Sequence, residues 1–393
     1  MEAANYQKTL FGYPTRRPGD KWAFTYYRPE MIPRDLTFET DTVLLLSEAD
    51  NALGHLQGLG RLIPQPELLV GPFLTREAIA SSRIEGTKAS LSDVLKAAED
   101  VSEKTDDIAE VGRYLSATRA GLQLIKELPL SVRLIKAVHE ILMEGVRGEE
   151  RLPGEIRHSP VWIGGSTPNN AIFVPPLHDH LPELLTDWER FVNERSRLPL
   201  LVRSALMHYQ FETIHPFLDG NGRIGRLLIV LQMIAEQRLT SPLLYLSGYL
   251  ETHRREYYDH LQAVRETGAI QSWIQFFCRA VKEQSEDAVA RAAQLVELRE
   301  KYYKQAGDDR SRVNMLIPLM FQNPFMTAKR VQSAVGGTPQ GARNLLERAV
   351  EYGWLQFMGA QGRGGRLYYA ATEVLEAIES PTTYERPQPT YGA

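Results

Sequence analysis

A short polar segment, HPFLDGNGRIGR at residues 215–226, combines residue types that could handle phosphate groups. It contains a candidate proton acceptor, a candidate metal ligand, three glycines and two arginines: His215, Asp219, Gly220, Gly222, Gly225, Arg223 and Arg226. The residues that follow, 227–235, are almost wholly apolar and predict a buried helix. Because a helix N-terminus has unpaired N–H groups and the positive end of the dipole, we expect an anion site here.

Each polar residue of this segment suggests a role. Arg223 and Arg226 are three apart, so one helix face would carry both, and guanidinium forks match phosphate oxygens. His215 precedes a proline, which favours a loop, and a neutral imidazole there could take a proton from an attacking hydroxyl. Asp219 is an oxygen ligand suited to Mg²⁺. The alternative interpretation is a glycine loop and helix cap whose charges are merely solvated.

The segment resembles the signature of the Fic family, HPFx[D/E]GNxRxxR, at every specified position. The resemblance implies a protein adenylyltransferase: a target Ser, Thr or Tyr hydroxyl attacks the α-phosphorus of ATP, and AMP stays on the protein. It implies His215 as base, Asp219 as the Mg²⁺ ligand, and nucleotide binding by Gly220, Asn221, Gly222, Arg223, Gly225 and Arg226. The related Doc kinases have Lys in place of Gly222, so the glycine favours adenylyl over phosphoryl transfer.

A second motif lies at residues 81–86, SSRIEG, at the end of a helix predicted over 75–84 and terminated by Gly86. Ser81 and Glu85 are four apart and share a face. A carboxylate near a helix C-terminus is unfavourable with the dipole, so Glu85 should have a cationic partner. The segment resembles the Fic inhibitory motif, [S/T]xxxE[G/N]. The resemblance implies that a Glu85–Arg226 ion pair occupies the space of the γ-phosphate.

Two further features have one structural and one functional interpretation. Residues 161–163 and 172–174 are β-type runs around a polar turn, which predicts a β-hairpin. It is either a surface excursion or a flap, residues 161–174, that holds a target protein by strand addition; the Fic resemblance favours the flap. Tyr257 and Tyr258 are either core residues or, as the resemblance implies, nucleotide-binding residues with one ring near the adenine.

The helical periodicity of most of the chain predicts a mostly α protein. We expect an N-terminal Fic-associated segment with the inhibitory helix at 1–95, a Fic helical domain with a β-hairpin flap at 96–300, a winged helix-turn-helix domain at 309–378 and a mobile tail at 379–393. Residues 1 to about 35 show no helical period and are expected to be irregular chain.

The predicted winged helix is the basic part of a chain whose overall net charge is only −4. Candidate DNA-phosphate contacts are Lys329, Arg330, Arg343, Arg363 and Arg366. The same domain could instead dock a protein or form a homodimer, and the sequence leaves these partners open.

Composition points to a cytoplasmic protein of ordinary globular type. Of 393 residues, 43% are hydrophobic. The single cysteine, Cys278, cannot form an internal disulfide, which fits a reducing compartment. The start of the sequence does not resemble a signal segment, and the longest apolar run is too short to span a bilayer, so no membrane partner is expected.

The sequence therefore predicts a self-inhibited protein adenylyltransferase that uses ATP and Mg²⁺ and can modify itself. One rival is a deAMPylase, which removes AMP at the same site with Glu85 positioning water. The rival from another class is a DNA-binding regulator whose Fic domain is vestigial or sensory. Intact His215, Asp219, Asn221 and Arg226 argue against a vestigial site.

Overall fold

The computed structural model describes residues 1–19, 23–62, 67–100, 105–361 and 365–379, and the chain is mostly α-helical, as predicted. The first eight helices are α1 (Thr40–Leu62), α2 (Glu67–Ile84), α3 (Leu91–Ala98), α4 (Asp106–Leu124), α5 (Val132–Met143), α6 (Leu181–Asn193), α7 (Leu200–Ile214) and α8 (Asn221–Ala235). The others are α9 (Ser247–Thr252), α10 (Arg254–Thr267), α11 (Ile270–Ala306), α12 (Leu316–Gln322), α13 (Ala328–Val335), α14 (Pro339–Glu351) and α15 (Thr372–Glu379). In the described ranges, no helix is long and apolar enough to cross a membrane.

Helices α7 and α8 form the centre of the main core. Both are buried on nearly every face, which explains why neither shows a polar stripe. The two helices pack closely because Gly225 has no side chain: a Cβ there would lie 2.3 Å from Glu212 Oε1. The segment at residues 215–226 thus comprises the short connection between these two buried helices and the start of α8.

The N-terminal residues correct the expectation of irregular chain. Strands β1 (Gly12–Arg17) and β2 (Phe24–Pro29) form an antiparallel pair. Prolines and aromatics hide the alternation in the sequence, but the burial of Tyr26 and Tyr27 shows that β2 faces a core. That second, small core also contains Met1, Tyr6, Phe24, Ala171, Phe173 and Val174.

The predicted flap at 161–174 has the course of a hairpin but little strand structure. Its two arms are joined by one antiparallel bridge, between Ile163 and Phe173. The second arm continues into the N-terminal sheet, because Tyr27 N donates to Val174 O at 2.8 Å. The flap is therefore held mainly by the N-terminal segment, a long-range contact that local patterns do not reveal.

Two features of the later helices connect distant parts of the chain. Helices α9 and α10 meet at His253. Helix α11 has 37 residues and packs against both α1 near the N-terminus and α15 near the C-terminus.

The C-terminal part has the order of elements expected of a winged helix. Strands β3 (Phe325–Thr327), β4 (Gln356–Gln361) and β5 (Arg366–Ala370) form a sheet of order β3-β5-β4 around α13 and α14. Thr327 and Thr338 are the N-caps of the two helices. Strand β3 and helix α15 were not predicted. Arg363 and the tail from 380 onward lie outside the described residues.

Candidate active site

His215 lies where α7 ends, and its backbone is left-handed with φ 50° and ψ 63°. A non-glycine residue rarely adopts this conformation, so the surrounding loop must enforce it. Asn221 helps to do so: its Oδ1 accepts from Phe217 N at 2.8 Å and its Nδ2 donates to Phe217 O at 2.9 Å. The Asn221 side chain therefore braces the loop, and its phosphate contact would come from the backbone.

His139 is a buried histidine that contacts the loop, and the sequence analysis did not single it out. The His139 ring stacks on Phe217 with centroids 3.7 Å apart. Its Nδ1 accepts from Gly154 N at 2.8 Å, so Nε2 carries the hydrogen and donates to Asp219 O at 3.0 Å. Burial lowers the pKa of His139 to about 4, which keeps this tautomer neutral. In the sequence, His139 is only a lone histidine on an apolar helix face.

Asp219 and Gly220 form the mouth of the loop. The Asp219 side chain is 45% exposed, and its Oδ1 accepts from Gly220 N at 2.6 Å. Gly220 has φ +75°, a left-handed conformation that favours glycine, and a Cβ there would lie 3.0 Å from Met143 Sδ. One exposed carboxylate fits a Mg²⁺ ion that takes its other ligands from substrate phosphates and water. No cluster of three metal-binding side chains occurs among the described residues.

Arg223 is buried beneath this mouth with part of its hydrogen-bonding capacity unused. Its Nη2 lies 3.6 Å from Asp219 Oδ1 and 3.5 Å from Met143 Sδ. Its Nε and Nη1 find no acceptor among the residues that the structure describes. Buried donors of this kind are costly unless something binds them, and phosphate oxygens would satisfy them.

Arg226 is fully engaged with the end of α2. It is 2% exposed; its Nε donates to Ser81 Oγ at 2.9 Å, and its Nη2 donates to Ser81 O at 2.9 Å and to Glu85 Oε1 at 2.7 Å. Burial raises the pKa of Glu85, but the Arg226 guanidinium outweighs it and the net pKa is lowered. The structure thus brings together Ser81, Glu85 and Arg226, while Gly86, with φ +103°, turns the chain after α2.

The Glu85 carboxylate lies directly over the N-terminus of α8. A Cβ placed on Gly222 would be 2.3 Å from Glu85 Oε1 and 2.9 Å from Arg226 Nη1. This is the place where unpaired helix N–H groups attract an anion. The position expected for a nucleotide phosphate is therefore filled by a carboxylate of the same chain.

The buried carboxylate of Glu77 anchors α2 about two turns before Glu85. Glu77 Oε2 accepts from Ser247 N at 3.0 Å, and Oε1 accepts from Ser247 Oγ and from Tyr114 Oη. Burial raises the pKa of Glu77. These contacts join α2 to α9 and α4. The sequence signal was an acidic residue in a largely apolar stretch, and the prediction did not use it.

The His215 imidazole is held neutral by its surroundings. Burial lowers its pKa to about 3, with further lowering by the charges of Arg157 and Arg265. Its Nδ1 has no hydrogen-bond partner in the described part of the chain. A neutral ring can accept a proton, but a pKa of about 3 makes this imidazole a weak base in this state.

The two tyrosines of α10 differ in position. Tyr257 is fully buried, and its hydroxyl lies 2.8 Å from His208 Nε2. In this state Tyr257 is a core residue that cannot contact a nucleotide. Tyr258 is 41% exposed, with its ring centroid 5.0 Å from that of Tyr257, so it is the one whose ring is accessible.

The basic residues of the winged helix turn largely toward the chain itself. Lys329 and Arg366 lie 3.5 Å and 3.3 Å from Asp100 Oδ2. Arg330 donates to backbone carbonyls, including Leu319 O at 2.7 Å, and lies 3.4 Å from Glu99. Three of the five predicted phosphate contacts therefore pack against the end of α3 and the residues just after it, and Arg363 lies outside the described residues.

Similarity to known proteins agrees with this geometry. A Fic/DOC family N-terminal model matches residues 43–123, and a Fic/DOC family model matches residues 129–233. Protein adenylyltransferase Fic of Culex quinquefasciatus is 37% identical over 130 residues, which are 31% of this chain and 22% of that protein. Its counterpart in Drosophila erecta is 29% identical over 172 residues, 42% of this chain and 31% of that protein. The chain thus matches less than a third of the length of either relative.

Among solved structures, a Fic family protein from Desulfovibrio desulfuricans G20 superimposes with a TM-score of 0.54 at 21% identity, covering 86% of this chain and 98% of that one. At this identity the likeness shows a shared fold. The resemblance inferred from the two motifs is confirmed: the chain contains the N-terminal and the Fic domains of the Fic/DOC family, in that order.

Proposed function

We propose that this protein is a protein adenylyltransferase that transfers AMP from ATP to a hydroxyl of a target protein. One observation carries the proposal: Glu85 lies over Gly222 at the N-terminus of α8 and is held there by Arg226. A carboxylate in that place mimics a phosphate, and the relatives named above are adenylyltransferases. The activity is therefore inferred from an anion site that the chain blocks itself.

The roles follow from the positions of the side chains. Backbone N–H groups of residues 221–222 and the free donors of Arg223 would bind phosphate oxygens. Asp219 would hold Mg²⁺, which neutralises phosphate charge when bound. A target Ser, Thr or Tyr oxygen would bond to the α-phosphorus while pyrophosphate leaves, and His215 would take the hydroxyl proton.

The target would lie along the first arm of the flap. Trp162 and Ile163 are exposed there, whereas Phe173 on the second arm is buried. An extended target segment could add its backbone to the free edge and place its hydroxyl before His215. The Glu85–Arg226 pair would keep the enzyme inactive until the γ-phosphate takes Arg226.

The test is incubation of Glu85→Gly protein with ATP and Mg²⁺, with the label in either the α- or the γ-phosphate. Adenylyl transfer leaves the α-label on protein and releases the γ-label as pyrophosphate. His215→Ala in the same background is the control and should stay unlabelled. Retention of γ-label without α-label would instead indicate a kinase.

Removal of AMP from a modified protein is the second candidate function. The lowered pKa of Glu85, which keeps its carboxylate ionised, supports this candidate. A carboxylate with a lowered pKa beside His215 could orient a water molecule toward a bound AMP-protein bond. The two candidates are distinguished by whether one variant still releases AMP from a labelled target. Glu85→Gly should increase labelling if Glu85 only inhibits, and should abolish release of AMP from a labelled target if Glu85 acts in hydrolysis.

A further inference from the structure

Arg157 lies between α5 and the flap, and its buried guanidinium binds only backbone carbonyls. Nε donates to His215 O at 2.7 Å, Nη1 donates to Ser159 O at 3.1 Å, and Nη2 donates to Pro176 O at 2.7 Å and Ile214 O at 3.2 Å. The backbone N of Arg157 also donates to Pro216 O at 2.9 Å. One residue thus contacts the end of α7, the start of the motif loop and the two residues that flank the flap, Ser159 and Pro176.

This arrangement is energetically unusual. Arg157 is 1% exposed, and within the part of the chain that the structure describes none of its hydrogen bonds goes to a carboxylate. A buried charge without a counter-ion is costly, and burial lowers the pKa of Arg157 to about 10. The carbonyls of Ile214 and His215 partly offset that cost, because they lie at the negative end of the α7 dipole and have no partner within the helix.

We propose that Arg157 is a positioning residue for AMP transfer, which fixes the backbone of His215 and ties both ends of the flap to it. The base and the edge that receives the target would then keep a fixed distance from each other. The inference rests on the proposed function. It concerns a residue that neither of the two motifs contains.

The charge of Arg157 adds a second effect that a purely structural role would lack. The groups that act on His215 are Arg157 and Arg265, which lower its pKa, and Glu85 together with the carbonyl of Glu212, which raise it. Replacing Arg157 by a neutral residue removes one of the two cations. The imidazole should then protonate at higher pH, and the acid limb of the activity profile should move the same way.

The experiment compares Arg157→Met, which keeps the bulk, with Arg157→Lys, which keeps the charge but loses the fork. Arg203→Met is the matched control. Arg203 is also a buried arginine, but it lies at the start of α7 and binds Val192 O and Glu236. All are made in the Glu85→Gly background and checked by thermal melting. The readouts are ¹³C-histidine NMR from pH 8 down to about 2.5, which passes the pKa of about 3 that burial gives His215, together with ATP affinity and the rate of AMP transfer.

We expect Arg157→Met to raise the pKa of His215 and to slow transfer roughly 100-fold, the usual result of a misplaced catalytic group, with ATP affinity unchanged. Arg157→Lys should restore the NMR titration but not the rate, and Arg203→Met should change neither. If Arg157→Met, or Arg157→Lys where the former does not fold, transfers AMP at the parent rate, the positioning role is overturned. If the Glu85→Gly parent transfers no AMP, the proposed function is wrong. A shift of the His215 titration in Arg157→Met would still show that Arg157 acts on His215.

Discussion

At the scale of single residues, the proposed function gives the Arg226 guanidinium two competing anionic acceptors. Arg226 holds Glu85 at 2.7 Å, and a γ-phosphate would need the same donor. The two anions repel each other, so both cannot bind at once. Glu85→Gly should therefore raise AMP transfer, including self-modification, with His215 untouched. Arg226→Ala should show no such gain, because it also removes the phosphate partner.

The comparison is made by the initial rate of α-label incorporation at matched protein concentration. Thermal melting of each variant shows that the change is not one of folding. An unchanged or lower rate for Glu85→Gly at unchanged stability would remove Glu85 from its inhibitory role.

His215 gives the second prediction at this scale. In the proposed mechanism the imidazole would act on the incoming hydroxyl, while the loop and the arginines would bind the phosphates. His215→Ala should therefore lower the transfer rate by about 10²–10⁴-fold and leave ATP affinity nearly unchanged. Calorimetric ATP binding and label incorporation, both in the Glu85→Gly background, measure the two quantities. Transfer at the parent rate would show that another group takes the proton.

At the scale of elements, the placement of α2 depends on one anchor. Glu77 binds the backbone and hydroxyl of Ser247, two turns before Glu85. Ser247→Ala removes the hydroxyl donor and leaves a buried carboxylate with one partner fewer, which costs about 1–3 kcal/mol. We expect a looser α2 and a basal transfer rate above wild type but below that of Glu85→Gly. Ser272→Ala, at a hydroxyl of α11 that binds only Ala269 O, is the control.

A basal rate equal to wild type, together with a lowered melting temperature, would mean that the anchor stabilises the fold without holding Glu85 in place. Hydrogen exchange at residues 78–85 reports the same loosening without any need for activity.

The sequence predicted most helices, the Thr338 cap of the second helix of the C-terminal part and the Glu85–Arg226 pair. Those features are encoded locally or carried by a recognisable motif. It did not predict β1 and β2, because their stability comes from packing against the flap about 150 residues away in the chain. Glu77, His139 and Arg157 were missed for the same reason: each is an ordinary polar residue until a distant partner is known.

At the scale of the whole molecule, three of the basic residues in the C-terminal part lie against acidic residues or carbonyls of the same chain. Lys329 and Arg366 pair with Asp100, and Arg330 contacts backbone carbonyls and Glu99. We expect little binding to a DNA duplex even at about 50 mM salt, as measured by fluorescence anisotropy. Asp100→Ala, which frees two cations, is the matched comparison. Tight binding by wild type that weakens steeply with salt would restore DNA as a partner.

Three buried histidines make the stability of the whole molecule sensitive to acid. Burial lowers the pKa of His139 to about 4 and those of His208 and His215 to about 3. The folded protein therefore favours their neutral forms. Their stabilising contribution is complete above about pH 6.5, the unfolded value, and is lost as the pH falls below it. Melting temperatures at pH 7.5, 6 and 5 should decline in that order, and a constant melting temperature would contradict the burial effect.

The contrast between the two arms of the flap has a consequence for the thermodynamics of association. Phe173 and Val174 are packed in the N-terminal core, and Tyr6 Oη donates to Ile172 O at 2.8 Å. The arm with exposed Trp162 and Ile163 is thereby joined to a backbone that is already ordered. An incoming segment would lose its own conformational entropy but not that of the receiving edge. Weak, short segments could then be bound in register, and selectivity would come from side chains rather than from the cost of ordering the flap.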